Sequence, residues 1–501
     1  MAKKKTIRTI PQERVAMPVQ APDLRAANFS EVALGYRSED AGIESERCLM
    51  CPEAFCVAGC PVGIDIPGFI DCITIKDYRG AYEVLCDANL LPAICGRVCP
   101  QEDQCEGVCT VGDTLEPVAI GRLERWIGDM AITEGWASVP HIAPRSFRVG
   151  VIGSGPAGIA CAADLAKAGC EVTVFEAFHE PGGVLRYGIP EFRLPNDVID
   201  AEIRNITALG VKIECNTLVG RLFTIEQMIR EMGFDAVFIG TGAGYPSFMN
   251  IPGESLSGVL SANELLTRCN LMHAGEFPDF DTPLHLGDHV SVIGSGNTAM
   301  DAMRVVRRLG VETVACVYRR TRAESPARLE ELEHAEEEGI EFNWLTAPVE
   351  ILGDDDGNVR AMRCIRMELG EPDDSGRRRP VPIEGSEFEF PTETVVYAIG
   401  TNANPIIGQT SNIKLNKWGY IATDDDLETS MAGVFAGGDI VTGGATVILA
   451  MGAGRKAARS IKKYLGIREI DWSPEAAGLT PVEMTFGIDA GEYNFHRVRV
   501  A

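Results

Sequence analysis

Between residues 48 and 109 the chain places ten of its sixteen cysteines, and eight of these form two quartets, Cys48-x2-Cys51-x4-Cys56-x3-Cys60 and Cys95-x3-Cys99-x5-Cys105-x3-Cys109. Pro61 and Pro100 follow the last cysteine of the first quartet and the second cysteine of the other. Thiolates at this density on short spacers suit iron–sulfur clusters, because each iron takes a sulfur from a tightly turned backbone. The chemistry is single-electron transfer. Structural zinc would favour two CxxC pairs across a longer loop, and only Cys48/Cys51 is a CxxC. Disulfides would need an oxidising compartment. Met1 to Val19 starts basic but lacks the apolar core of a secretory signal, and no apolar run is long enough to span a bilayer. A cytoplasmic protein with reduced thiols and no membrane partner is expected.

A second kind of chemistry follows. Arg148 to Ile152 reads as an apolar strand running into Gly153-Ser-Gly155-Pro156-Ala157-Gly158, then an alanine-rich helix, then a strand ending at Glu176. This is the β-α-β unit of a dinucleotide site. Gly153 permits the tight turn, Gly155 lets amides approach a pyrophosphate, Gly158 allows helix and strand to close, and Glu176 can accept from a ribose. The unit returns at His289 to Ile293 with Gly294-Ser-Gly296-Asn297-Thr298-Ala299. After its second strand, Thr313 to Val317, comes Tyr318-Arg319-Arg320-Thr321-Arg322, where a NAD-selective unit would carry an acid. Guanidinium groups there favour the 2′-phosphate of NADP(H), read by Arg319 and Arg320.

Two further segments assign the nucleotides. Pro181-Gly182-Gly183-Val-Leu-Arg186-Tyr187 is a glycine loop suited to run along a flavin. Gly438-Asp439 ends a late strand and leads through Ala445-Thr446 into a helix starting at Val447, so that Asp439 would meet a flavin ribityl chain. FAD is therefore expected on residues 146–245 and 395–466, with an NADP(H) domain, 246–394, inserted through Gly240 to Gly244 and Ala398 to Thr401. Residues 1–145 would form a helical iron–sulfur domain and 467–501 an extension. The fold class is α/β, with a helical bis-[4Fe–4S] domain before two Rossmann-like domains.

Composition sets limits. A length of 501 residues suggests about three domains, and a net charge of -26 without a basic stripe excludes nucleic acid as a partner. Acidic runs such as Glu330 to Glu338 read as solvated helix faces. Cys161, Cys170, Cys215, Cys269, Cys316 and Cys364 lie singly and read as small buried hydrophobes, so no redox CxxC stands beside the flavin. The seven histidines show no ligand spacing.

Cysteine quartets ahead of a flavin unit and a nicotinamide unit resemble the glutamate synthase small-subunit superfamily. The shared segments are Leu91 to Pro100, Arg186 to Pro195, Tyr318 to Arg322 and Ala445 to Gly452. Asn297, together with the Ala262 to Arg268 and Asn270 to Met272 segments, resembles the branch of electron-bifurcating, ferredoxin-dependent NADP oxidoreductases. The resemblance implies interleaved ligands: Cys48, Cys51, Cys56 and Cys109 for one [4Fe–4S] cluster, and Cys60, Cys99, Cys105 and Glu124 for the other, with Cys95 a bystander. It further implies hydride transfer at FAD without a catalytic acid–base pair, and electrons leaving through the clusters. The recipient would be ferredoxin or a second catalytic or flavin subunit in a heteromer. A glutamate-forming large subunit is the alternative recipient, and a non-catalytic relay scaffold a third reading.

Overall fold

The computed structural model describes residues 10–137, 142–372 and 376–467. The tail residues Phe486, Tyr493 and Phe495, which could form a wrap onto the domain or a partner-docking strand, lie outside the described residues.

Two parallel sheets organise the body. The first runs Val434–Ala436, Ala236–Ile239, Arg148–Ile152, Glu171–Phe175, Lys212–Glu214 in spatial order. The second runs Val259–Ser261, Thr394–Tyr397, His289–Ile293, Thr313–Val317, Glu341–Asn343. In both, the first strand of the glycine motif sits centrally and is almost wholly buried, as expected for a sheet covered by helices on both faces. The glycine spacing closes the first unit tightly: a side chain at Gly158 would lie 1.9 Å from the Gly153 carbonyl oxygen. The chain crosses between the sheets twice, and the crossings pair with each other, Tyr245–Pro246 antiparallel to Thr401–Asn402. A third sheet, not among the sequence expectations, joins Thr346–Gly353, Val359–Pro372, Arg378–Pro382 and Phe388–Pro391 as an antiparallel extension beside the second.

The cysteine-rich region is helical. Helices Pro92–Val98 and Ile120–Glu134 approach at glycines: a side chain at Gly96 would lie 2.4 Å from the Arg125 nitrogen, and one at Gly128 2.5 Å from the Ala93 nitrogen. Leu91, Ile94, Cys95 and Cys99 share a core with the first sheet, whereas Cys48, Cys60 and Cys105 belong to the core of the helical region itself. Trp126 packs edge-on against Tyr78, 5.1 Å between centroids.

The acidic stretch at Glu330 to Glu338 is the expected solvated face only in part: Glu333, Glu336 and Glu337 are exposed. Glu331, His334 and Glu338 are buried on or just after the helix Leu329–Glu337. Glu338 accepts from Arg25 Nε (3.0 Å), Arg304 Nη2 (2.8 Å) and Arg308 Nη1 (2.7 Å), while Glu331 meets Arg304 and, at 3.1 Å, Arg193. Arg193 also holds Asp301 at 2.8 Å, and Arg308 stacks 3.8 Å over Phe192. Charge count along the sequence marked these acids as surface. Arginines from three distant segments take them inside instead, because a buried carboxylate is tolerated only when paired and hydrogen-bonded. The second sheet's unit is thereby fastened to the loop at 192–193 and to the N-terminal segment. Arg328 adds a tie to the cysteine region through the Arg97 carbonyl (3.0 Å) and Gln101 (3.1 Å).

Candidate functional site

Cys48, Cys51, Cys56 and Cys109 line one pocket whose other walls include Ile66, Ile70, Val111 and Val118. Burial, with Cys109, Cys48 and Cys51 alongside, pushes the Cys56 thiol up to about 11. A mostly apolar cavity fringed by four thiols matches a cluster's needs, and loading it would release protons from them.

The second group gathers around helix Ile120–Glu134. Burial raises the Cys105 thiol, with Glu106, Glu124, Cys60 and Cys99 adding negative charge nearby. Burial likewise raises the Cys60 thiol, but the Ile64, Val62 and Gly63 amides donate toward it, and amides directed at sulfur tune a cluster's potential. Glu124 is 5% exposed, and burial pushes its carboxyl up to about 8 against the hydrogen bond from Asn89 Nδ2 at 2.6 Å. Cys95 is fully buried one helical turn from Cys99 and hydrogen-bonded to it. The structure thus brings Cys60, Cys99, Cys105 and Glu124 together, with Cys95 beside them. Among the described residues no three of these groups converge tightly enough for a single metal ion. A four-iron cubane spreads its ligands wider than one ion does. Arg125, next to Glu124, turns away to Glu31 at 2.9 Å and Asp129 at 3.4 Å.

On the first sheet, Glu176 is buried at the strand end and accepts from the Ser154 amide (2.9 Å) and hydroxyl (2.5 Å). Gly155 and Gly183 meet backbone to backbone, since a side chain at Gly183 would lie 2.7 Å from the Gly155 Cα. Pro156 and Ala157 open the helix Pro156–Lys167, and Ala157 also meets the late helix, whose Gly454 would place a side chain 2.1 Å from the Ala157 carbonyl. Asp439 follows Gly438 at the end of the last strand. Burial pushes its carboxyl up to about 6, the Ala445 amide partly opposing, and its Oδ1 has no partner. Thr241 Oγ1, at the first crossing, is likewise buried without a partner. Unpaired buried oxygens are costly, and hydroxyls of a flavin ribityl chain would satisfy both. Thr446 caps the helix Val447–Tyr464, accepting from Leu449. Arg186 is held by Asn196 (3.1 Å), Glu180 (3.3 Å) and Asp200, which fixes the glycine loop.

On the second sheet, Gly294, Gly296, Asn297, Thr298, Arg319 and Arg320 line one cleft of about 1360 Å³. Asn297 accepts from the Arg328 amide at 2.9 Å, joining the helix start to the segment tied to Gln101. Arg320 is buried and Arg319 exposed. Motif reading missed Asn263, which lines the cleft and donates to the Gly244 carbonyl at 2.8 Å, and Arg377, from the antiparallel extension. Of the single cysteines, Cys161, Cys170, Cys316 and Cys364 are buried and Cys215 and Cys269 half-buried. No described helix is long and apolar enough to cross a membrane.

Two nucleotide-binding sheets joined by paired crossings, with a helical cysteine domain ahead of them, define a flavin- and iron–sulfur-dependent oxidoreductase. Residues 25–136 match the dihydropyrimidine dehydrogenase domain II, 4Fe-4S cluster family, and residues 147–454 match the pyridine nucleotide-disulphide oxidoreductase family. The chain is 37% identical over 458 residues to the glutamate synthase [NADPH] small chain of Azospirillum brasilense, covering 89% of this chain and 94% of that one. It is 40% identical over 453 residues to the NADP(+)-dependent formate dehydrogenase subunit beta of Moorella thermoacetica, covering 85% of this chain and 62% of that subunit. Mycobacterium tuberculosis FprA, solved in complex with NADPH, shares the fold at a TM-score of 0.54 and 22% identity, over 67% of this chain and 88% of that one. The chain belongs to the pyridine nucleotide-disulphide oxidoreductase family, in its glutamate synthase small-subunit-like group. It is an NAD(P)H-dependent oxidoreductase whose cofactors are FAD, NADP(H) and [4Fe–4S] clusters.

Proposed function

We propose that the chain is the NADP(H)-handling subunit of a cytoplasmic heteromer, exchanging electrons between NADP(H), FAD and two [4Fe–4S] clusters and, through them, with ferredoxin in a flavin-based bifurcating complex. When bound, the cofactors supply hydride and one-electron chemistry, and the protein supplies position and environment. Asp439 and Glu176 would hold FAD along the first sheet's crest, and the Gly294–Thr298 turn would hold NADP(H). Cys60, Cys99, Cys105 and Glu124 would hold the cluster nearer the flavin. Cys48, Cys51, Cys56 and Cys109 would hold the outer one.

One observation carries the order of the relay. A side chain at Gly452, in the helix that follows Thr446, would lie 2.9 Å from Val62 Cγ1, two residues after Cys60. The second cysteine group is therefore built against the helix whose N-terminus closes the flavin crest, while the Cys48 group faces its own pocket in the helical region. The formate dehydrogenase beta subunit and the glutamate synthase small chain are both named as subunits, which supports a heteromer here. Near-complete coverage of the glutamate synthase small chain supports a second reading, electron delivery to a glutamate-forming large subunit.

The test is anaerobic purification with whatever copurifies, followed by reduction with NADPH. The expected result is one FAD and about eight iron per chain, flavin bleaching, and paramagnetic signals from reduced clusters. Ferredoxin reduction should require the copurified subunit. Zinc in place of iron and sulfide, or flavin bleaching with no cluster reduction, would end the proposal. Copurification with a glutamate-forming subunit would select the second reading.

A further inference from the structure

Arg319 and Arg320 stand in the bend that follows the strand Thr313–Val317 and Tyr318, and both line the cleft. Their burial differs: Arg320 is 5% exposed, and Arg319 lies open to solvent. A further guanidinium beside the buried Arg320 comes from another element.

The antiparallel extension supplies it. Strands Val359–Pro372 and Arg378–Pro382 pair through Pro372 and Arg378, and three consecutive arginines, Arg377 to Arg379, lie at the start of the second strand. These do different things. Arg378 spends its side chain on the hairpin, donating to the carbonyls of Gly370 (3.1 Å) and Leu369 (2.5 Å). Arg379 is exposed. Arg377 is half-buried and lines the same cleft as Arg319, Arg320 and the Gly294–Thr298 turn. The hairpin is registered against the sheet by Arg320 itself, whose Nε donates to the Arg378 carbonyl at 2.8 Å. The residue best placed to meet the adenosine ribose thus also fixes the backbone next to Arg377.

We propose that Arg377 is a specificity-determining residue, reading the 2′-phosphate of NADP(H) from the face opposite the strand end and completing with Arg320 a clamp drawn from two elements. This rests on the NADP(H) reading above. The ligand class is an adenosine dinucleotide carrying a 2′-phosphate, whose oxygens accept the paired donors that a guanidinium fork presents. A hairpin beside the dinucleotide fold would then set phosphate selectivity without altering the glycine turn.

The experiment uses the intact anaerobic holoprotein and its Arg377→Gln, Arg377→Lys and Arg379→Gln variants. It measures flavin reduction by NADPH and by NADH under stopped flow, together with inhibition by 2′,5′-ADP. Arg377→Gln should weaken NADPH and 2′,5′-ADP on the order of 10- to 100-fold, leaving the NADH affinity and the saturated reduction rate in place. Arg377→Lys should recover part of that loss, and Arg379→Gln should match the parent. Unchanged NADPH preference in Arg377→Gln overturns the assignment, as does an equal loss for NADH or an equal effect of Arg379→Gln. A parent protein without NADPH preference overturns the nucleotide reading itself, and this assignment with it.

Discussion

Replacing Glu338 with alanine tests whether the buried charge junction fastens the domains. Its side chain is fully buried, and it accepts from Arg25, Arg304 and Arg308, of which Arg304 is 0% and Arg25 1% exposed. The alanine variant would leave these guanidinium groups inside without their shared acceptor, and removing one partner of a buried pair costs about 3–5 kcal/mol. The titration points the same way. The neighbouring arginines, through hydrogen bonds and charge, outweigh burial and hold the Glu338 carboxyl at about 2 rather than 4.5. That shift corresponds to about 3 kcal/mol. Because the folded value is depressed, this stability is fully present above pH 4.5 and is lost as pH falls toward 2. Urea unfolding at neutral pH should show the loss, and the gap between parent and variant should close on acidification through that window. Trypsin offers a local readout, since release of Arg25 exposes a cleavage site that the parent buries. A variant within about 1 kcal/mol of the parent, with Arg25 still protected, would refute the reasoning and leave the junction energetically idle.

Cys95→Ser should leave both clusters assembled, whereas Glu124→Ala should alter the paramagnetic signature of the flavin-side cluster alone; the reverse pattern would give each cysteine quartet its own cluster. Asp439→Ala should weaken FAD retention by about 1–3 kcal/mol, read as flavin lost on dilution, because it removes the acceptor whose Oδ1 is buried and unpaired. Retention equal to the parent would show that this oxygen does not meet the flavin.

Both dinucleotide units were legible because their signal is local. A turn such as Gly153 to Gly158 is demanded by backbone contacts within a few residues, so type and spacing suffice. The interleaved ligand sets are proposed on family resemblance alone, since each group joins residues more than forty positions apart, as Cys56 with Cys109 and Cys60 with Cys105, and no local spacing announces such a grouping. The charge junction was not legible. Glu331 and Glu338 look like surface acids until arginines from residues 25, 193, 304 and 308 arrive, and no spacing in the sequence announces that meeting. Arg377 was missed for a similar reason: nothing in the run Arg377-Arg378-Arg379 singles out one of the three, and only the fold brings Arg377 to the cleft.

The placement of the cysteines explains how the helical region packs into the first sheet. Helix Pro92–Val98 contributes Ile94, Cys95 and Cys99 to the first sheet's core, and the segment after Cys60 abuts the late helix at Gly452. Gly96 and Gly128 then let Ile120–Glu134 close on the same helix, which brings Glu124 to the far side of that group. A larger residue at either glycine would push the two helices apart and separate Glu124 from Cys99. The architecture therefore couples the proposed inner site to the packing of the first sheet and lines the proposed outer site from the helical region. That division suits a relay whose inner step must be held at fixed distance while its outer step meets a partner.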